Sequence, residues 1–394
     1  MISRNLRHFR VFLAVATSRS PTIAAARCNV SQPAVTQSLA KLEREAGGEL
    51  FERTRHGFFL TERGALFEVR LRRAMQRMDA ALAEVSPRLT VTATVAQLQA
   101  LIALVAAQNF TLAARNLGLA QPTVHRAITQ IEQEAARPLF ERTTFGLVAT
   151  RPCRELAKAA QLAFSEFDQA EADLGEFDGR EVGTIVVGSL PLSRSVVLPQ
   201  ALAQFRAQRP TQPVTVLDGT YDDLLGGVRS GEIDFMIGAL RDPLPIRDVT
   251  QEELFLDGMA ILARPGHPLA GKADIGPQVL SKQAWAVSRR GTPGRVQFDA
   301  LFSDAGVDGP DSILECGSIL LMREILQRSD MLGCISEKQA EAETLRGLLV
   351  SLQVDTNWKG RPIGLTYRTG WVPTKAQAQL LELVRSAAAS PDAV

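Results

Sequence analysis

Apolar residues return at helical spacing from the start of the chain, and Leu6, Phe9, Phe12, Leu13 and Ala16 define one face of a helix. A short run opened by Thr22 follows, Ile23-Ala24-Ala25-Ala26-Arg27, whose small alanines permit close approach of a neighbouring helix. Asn29 ends that helix. Ser31 ahead of Gln32-Pro33 is an N-cap with proline in the first turn, where the missing N–H costs nothing. The helix it opens turns Val35, Leu39 and Leu42 inward and leaves Gln32, Thr36, Gln37, Ser38 and Lys41 outside. Phe51 to Thr61 then predicts two short strands about Gly57, with Arg53, Arg55 and His56 at the tip.

The whole pattern recurs 89 residues later without a gap. Leu50-Phe51-Glu52-Arg53-Thr54 reappears as Leu139-Phe140-Glu141-Arg142-Thr143, and residues 9–61 and 98–150 share 17 identities in 53 positions. Three helices followed by a basic hairpin predict a winged helix-turn-helix, here present twice. Amides, hydroxyls and a cation on the outer face of a third helix are the groups that reach base edges and phosphates in a major groove. In the second copy Gln121, Pro122, Thr123, His125, Arg126 and Gln130 take that face, and Arg142 stays in the wing. Ala120 replaces Ser31, Gln130 replaces Lys41 and Thr144 replaces Arg55, so a cap and two cations are lost. Each copy is followed by a segment rich in Ala, Leu, Glu and Arg, residues 62–85 and 152–177, which predicts a long helix. The first carries Arg70, Arg72, Arg73 and Arg77 and the second Glu166, Asp168, Glu171 and Asp173, a pattern that favours pairing of the two unlike helices within one chain.

Beyond residue 181 the period changes. A buried strand over 182–189, a helix over 198–209, a strand over 214–217, a helix over 221–230 and a strand over 233–237 predict a parallel α/β sheet. Ligands of such sheets sit beyond the carboxyl ends of the strands, where helix N-termini offer N–H groups. The loops at those ends are rich in hydroxyls, glycines and arginines: Ser189 to Ser195, Gly238 to Arg241, Ser288 to Pro293 and Cys316 to Ser318.

A chain of 394 residues exceeds one core, so two to four domains are expected, and 45% apolar with 22% charged residues is ordinary for a globular protein. No apolar run approaches the ~20 residues of a membrane span, and the first residues lack the apolar core of a signal peptide, so a cytoplasmic protein without a membrane partner is expected. Cys28, Cys153, Cys316 and Cys334 are scattered, as are the four histidines, which gives neither a disulfide framework nor a metal site and calls for no cofactor. The net charge of +1 hides a gradient: the first 90 residues carry 15 Lys and Arg against 8 Asp and Glu. A basic first segment on a neutral to acidic body suits a polyanion partner.

Ser31-Gln32-Pro33-Ala34-Val35, Leu50-Phe51-Glu52-Arg53 and Leu60-Thr61-Glu62-Arg63-Gly64, in this order, resemble the N-terminal domain of the LysR-type transcriptional regulators. Gly231-Glu232-Ile233-Asp234 and Ala263-Arg264-Pro265-Gly266-His267-Pro268-Leu269 resemble signatures of the same family's effector domain. The fold class implied is two mainly α winged helix-turn-helix domains with long linker helices, then an α/β, periplasmic-binding-protein-like effector region of two subdomains. The boundaries expected are 1–61 and 90–151 for the winged domains, 62–89 and 152–180 for the linker helices, 181–261 with 368–394 for the first effector subdomain, and 262–367 for the second. The family usually carries one winged domain, and its linker helix pairs antiparallel with a copy from another subunit. The resemblance implies double-stranded operator DNA as partner, RNA polymerase as a further one, and a homo-oligomer. DNA contacts would come from Ser31, Gln32, Pro33, Thr36, Gln37, Lys41, Arg53 and Arg55, and from Gln121, Pro122, Thr123, His125, Arg126 and Arg142 unless the second copy is only a pairing module. A small, anionic effector would meet Ser193, Ser195, Thr292 and Ser318, with Arg194, Arg241 or Arg290 facing its carboxylate; each hydroxyl can equally be a helix cap. Cys316 and Cys334 are either core residues or a redox pair. Rival readings are a solute receptor and an α/β enzyme, the latter without a phosphate loop, nucleophile elbow or metal cluster in its favour.

Overall fold

The structure, a computed structural model, describes residues 2–144, 146–195, 197–244, 246–354, 356 and 358–389. The chain divides into two compact units, Met1–Gly183 with Ser230–Glu232, and Thr184–Arg229 with Ile233–Val394. The last five residues of the expected first effector subdomain, 390–394, lie outside the described residues.

In the first unit α1 (Leu6–Ser18), α2 (Pro21–Cys28) and α3 (Gln32–Glu45) precede a hairpin of β1 (Phe51–Thr54) and β2 (Gly57–Leu60), and α4 (Glu62–Val85) follows. The short α5 (Leu89–Thr92) leads into the same order again: α6 (Val95–Ala107), α7 (Phe110–Asn116), α8 (Gln121–Ala135), β3 (Phe140–Thr143), β4 (Gly146–Ala149) and α9 (Arg151–Phe177). The repeated residues make repeated contacts. Glu43 accepts from the Leu50 N–H at 3.2 Å and Glu132 from the Leu139 N–H at 2.7 Å, tying each third helix to its hairpin. The Thr54 hydroxyl donates to the Gly57 carbonyl at 3.1 Å and the Thr143 hydroxyl to Gly146 at 3.1 Å. Thr61 and Thr150 cap α4 and α9.

The expected winged and linker segments are not four separate bodies. One apolar core runs from Ile2 to Leu174 and takes in both modules and both long helices. Arg63 near the start of α4 pairs with Asp178 just past the end of α9, whereas Arg73 further along α4 meets Glu166 earlier in α9 at 3.0 Å, so the two helices run antiparallel. Arg70 is buried in this seam, with Nε 2.7 Å from Asp173, Nη1 3.4 Å from Glu166 and 2.7 Å from the Gln169 side-chain oxygen. The unlike helices therefore pair in one chain, as their charges led us to expect. Asp168, Glu171 and Arg72 take no part in that seam: Asp168 binds Arg4, Glu171 accepts the Ile2 N–H at 2.8 Å, and Arg72 turns to Glu68 of its own helix.

The second unit holds two five-stranded sheets. The first has β6 (Val214–Asp218), β5 (Ile185–Ser189), β7 (Phe235–Ala239), β14 (Arg361–Arg368) and β8 (Val249–Asp257) side by side, with α10 (Val197–Gln208), α11 (Tyr221–Ser230) and α16 (Lys375–Ala389) in the same part of the chain. The second has β11 (Ile313–Glu315), β10 (Trp285–Val287), β12 (Leu332–Ser336), β9 (Met259–Ala263) and β13 (Val350–Ser351), with α12 (Pro277–Leu280), α13 (Pro293–Ser303), α14 (Ile319–Gln327) and α15 (Glu337–Leu345). Each sheet has its own core, Phe205, Phe235 and Leu380 in one, Trp285, Phe298 and Phe302 in the other.

The three strands expected to be parallel, β6, β5 and β7, are so, and the sheet is made mixed by β14, which runs antiparallel to both β7 and β8. The subdomain boundaries are corrected. Met259 already pairs with Ser336 in the second sheet, so the chain crosses at Gly258 and not near Leu262. It has returned by Arg361, not Tyr367, since β14 pairs along its length with β8. A strand belongs to the sheet that satisfies its backbone, and apolar patterning alone does not show which sheet that is.

Candidate nucleic-acid interface and ligand site

Ser31 caps α3 through the Ala34 N–H at 3.4 Å, with Pro33 in the first turn as expected. The cap presents the first turns of α3 outward, where Gln32, Pro33, Thr36 and Gln37 are exposed. Lys41 is half-buried, with Nζ 3.8 Å from Glu45. Ser38 is corrected: it is buried and its hydroxyl donates back to the Ala34 carbonyl at 2.8 Å, which removes it from the outer face. Arg53 is also not at the hairpin tip. It lies in β1, 2.6 Å from Glu43 of α3 and over the Phe58 ring, so it braces hairpin against helix. The two-residue turn is Arg55-His56, both exposed, with Arg55 Nε donating to His56 Nε2 at 3.0 Å. A Cβ at Gly57, where φ is +125°, would come within 2.6 Å of the Arg19 carbonyl, so the first hairpin lies hard against the end of α1.

The second module presents Gln121, Pro122, Thr123, His125, Arg126 and Gln130, all exposed, on α8, whose N-cap Ala120 makes no side-chain bond. His125 stacks obliquely on Phe110, ring centres 5.2 Å apart, and its Nδ1 lies 3.4 Å from the Thr129 hydroxyl. Arg142 is exposed on β3. At Gly146 a Cβ would meet nothing within 4 Å, so this turn is not pressed on a helix end as the first is, although Phe140 and Leu147 still pack on the core.

In the second unit the expected ligand residues separate by role. Ser193 is buried and its hydroxyl lies 2.8 Å from the Leu190 carbonyl and 3.0 Å from the Ser189 hydroxyl, holding the loop after β5 from inside. Thr292 caps α13 through Arg295 N–H and Ser318 caps α14 through Leu321 N–H, each at 3.3 Å, so both are the caps that the alternative reading allowed. Arg194 is exposed, 3.5 Å from Asp218, and Arg290 is exposed, 3.7 Å from Glu315. Arg241 lies over the Tyr221 ring at 4.5 Å. Ser195 accepts from Gln339 Nε2 at 3.4 Å, and the same amide reaches the Pro191 carbonyl at 3.2 Å. Gln339 stands on α15, which leads out of the second sheet, so this contact joins the two subdomains; the sequence offered no sign of it beyond a polar residue in a first helical turn. Close beside it Asp257, in the crossing strand, accepts the Lys338 N–H at 3.3 Å and faces Arg361 at 3.4 Å, and burial raises its carboxyl above the usual range.

The cysteines resolve toward core. Burial pushes the Cys334 thiol up to about 12, far from a reactive thiolate. Glu315 and Cys334 both lie opposite Val287, on either side of β10, so Cys316 and Cys334 are two strand spacings apart, about 9–10 Å. A disulfide needs Cα atoms within about 7 Å, and the pair cannot form without moving a strand. Among the described residues no group of three His, Cys, Asp or Glu side chains could hold a metal ion, and no helix is long and apolar enough to cross a membrane.

Comparison with known proteins follows the same division. The model for the LysR substrate binding domain matches residues 178–389, and that for the lysR-family bacterial regulatory helix-turn-helix protein matches twice, over 6–65 and 95–154. The transcriptional regulator GalR of Pseudomonas putida is 32% identical over 389 residues, 97% of this chain and 96% of its own. The regulator YdcI of Escherichia coli is 30% identical over 264 residues, 66% of this chain and 86% of its own. Among solved structures, full-length OxyR of Pseudomonas aeruginosa shares the fold at a TM-score of 0.53 and 19% identity, covering 75% of this chain and 94% of its own. CbnR in complex with its target DNA does so at 0.51 and 16%, covering 75% of this chain and all of its own.

Proposed function

Because the chain belongs to the LysR family of ligand-responsive, DNA-binding transcriptional regulators, which are not enzymes, we propose that both of its winged modules read operator DNA, a duplication carried in one polypeptide. The observation that carries this is the exposed polar face of the third helix of each module: Gln32, Thr36 and Gln37 on α3, backed by Arg55 in the wing, and at the matching positions Gln121, His125 and Arg126 on α8. Such side chains reach base edges, while Lys41, Arg55 and Arg142 serve phosphates. The match of the same helix-turn-helix model to both modules supports the second as well as the first. Ser31, Pro33 and Pro122 act by shaping the helix start, and Arg53 by holding the wing. A DNA reader works beside the chromosome, in the cytoplasm.

The effector belongs at the strand ends of the second unit. Arg194, Arg241 and Arg290 support an anionic ligand, a small carboxylic acid, near the starts of α13 and α14. Gln339, with Ser195 and Pro191, links the two subdomains and would be remade as they close on it, a population shift passed to the DNA-binding half.

Footprinting of the full protein on its own upstream intergenic DNA tests this, comparing wild type with Thr36→Ala plus Gln37→Ala and with His125→Ala plus Arg126→Ala. Loss of a separate part of the footprint in each variant is the expected result. An intact footprint in the second variant would reduce the second module to a pairing domain, and no protection by wild type would overturn the DNA-reading role of this region.

A further inference from the structure

We infer that this chain reads a non-palindromic operator as a single subunit, in one orientation, because α4 and α9 are built to pair with each other and not with second copies of themselves. The inference rests on the DNA-reading role proposed above and narrows its target.

The helix α9 is α4 displaced by the same 89 residues, and the buried positions coincide: Phe67 with Leu156, Ala74 with Ala163, Met78 with Phe167. The charges of the seam coincide at one position, where Asp173, the partner of Arg70, matches Glu84 of α4, and differ at the others. Glu166 stands where α4 has Arg77, Gln169 where it has Ala80, and Arg70 and Arg73 stand where α9 has Ala159 and Leu162. Two copies of α4 in the register seen here would therefore set Arg70 and Arg73 against Arg77 in place of Glu166, with Glu84 in place of Asp173 as the acid left to face Arg70. Two copies of α9 would set Glu166 against Ala159 and Leu162, with no cation. Arg70 and Glu166 are both buried, and a charge held out of water without its partner is strongly unfavourable. Only the unlike pair satisfies both, and both helices are present in one chain.

The paired helices also hold the modules apart. Ile2 bonded to Glu171, Arg4 paired with Asp168 and Phe9 stacked 4.9 Å from Phe167 bind the first module to the later half of α9. Arg88 paired with Glu134 at 2.8 Å, and Arg137 donating to the Glu84 carbonyl at 3.2 Å, bind the second module at the end of α4. The two recognition faces differ: Thr36, Gln37 and Lys41 against His125, Arg126 and Gln130. Glutamine suits adenine and arginine suits guanine, so the half-sites they select differ. The complex then has a direction that a symmetric dimer lacks.

The test uses the full chain and the segment protected in its own upstream DNA. Binding of the native duplex is compared with two symmetrised duplexes, each repeating one half-site in inverted orientation, and the chains per duplex are counted. The inference expects the native duplex to bind at least about tenfold more tightly than either symmetrised one, with one chain in the smallest complex. A symmetrised duplex that binds as tightly, with two chains in the smallest complex, overturns it while leaving the DNA-reading proposal standing. Binding to no duplex overturns both. Independently of DNA, a short bifunctional thiol reagent applied to the Arg63→Cys, Asp178→Cys variant is expected to cross-link within one chain, and an interchain product as the main species would overturn the pairing on which the inference depends.

Discussion

The two repeated modules agree at the residues that tie helix to hairpin and diverge over most of the outward face. Glu43 and Glu132, Thr54 and Thr143, Gly57 and Gly146, and Thr61 and Thr150 are identical pairs that make the same local bonds or turns. The outer positions are Thr36 against His125, Gln37 against Arg126 and Arg55 against Thr144. The first module is also the more closely built: its hairpin rests on α1, and Gly64 lies so near the Leu50 carbonyl that a Cβ would come within 2.0 Å, whereas the matching position is the buried Cys153. Divergence extends to the linkers, where Arg77 and Glu166 occupy equivalent sites with opposite charge. The second copy thus kept the bonds between third helix and hairpin while losing a cap and a close-packed glycine, and its linker charges turn a repeat into a complement.

The largest effect is expected where the copies have become complementary. Glu166→Leu leaves Arg70 and Arg73 in the seam with a carboxylate missing and should lower stability by about 3 kcal/mol, and Glu166→Leu with Arg70→Met should lose less than the two single losses added together, because the pair acts as a unit. Urea unfolding of the four-member cycle checks this, and two single variants each near neutral would show that the seam charges do not hold the helices. Gly64→Ala should cost about 1–3 kcal/mol by overpacking against the Leu50 carbonyl. Cys153→Ala, which removes only a buried thiol, should cost less, and thermal shifts of the two variants side by side measure the asymmetry. Next comes the cap: Ser31→Ala should lose about 0.5–1 kcal/mol and Ala120→Ser gain a similar amount, read as opposite shifts in melting temperature. If the serine at position 120 brings no gain, the start of α8 is satisfied some other way. The smallest effect concerns acid. Bonds from Arg63 and Arg180 hold the Asp178 carboxyl down at about 2, below its unfolded value near 4. Its contribution is therefore present above about pH 4 and disappears as pH falls toward 2, so Asp178→Asn should narrow the difference in stability between pH 6 and pH 3.

The effector half shows how far pattern reaches. The expected helix over 221–230 is α11 to the residue, and that over 198–209 is α10 shifted by one residue. Strand β7 begins two residues later than expected, because Asp234 bonds Val186 through its backbone N–H, at 2.9 Å, and its carboxylate, at 2.8 Å, before the ladder starts. Ser193, Thr292 and Ser318 were legible as loop hydroxyls, but a hydroxyl that caps a helix and one that awaits a ligand are the same letter in the sequence. Gln339 is not legible in the sequence, since its partners Pro191 and Ser195 lie more than 140 positions away.

By itself the sequence determined the duplication, the three helices and hairpin of each module, their caps, and the opposed charges of the long helices, because helical period, turn chemistry and ion type are local properties. Tertiary structure alone decided that both modules and both linkers share one core, that Ser38 and Ser193 are inside, that Arg53 braces its hairpin, and that the effector chain crosses at Gly258 and returns by Arg361. Each of these depends on which distant backbone or side chain satisfies a polar group removed from water. That choice is made by packing over the whole fold, and no window of neighbouring residues contains it.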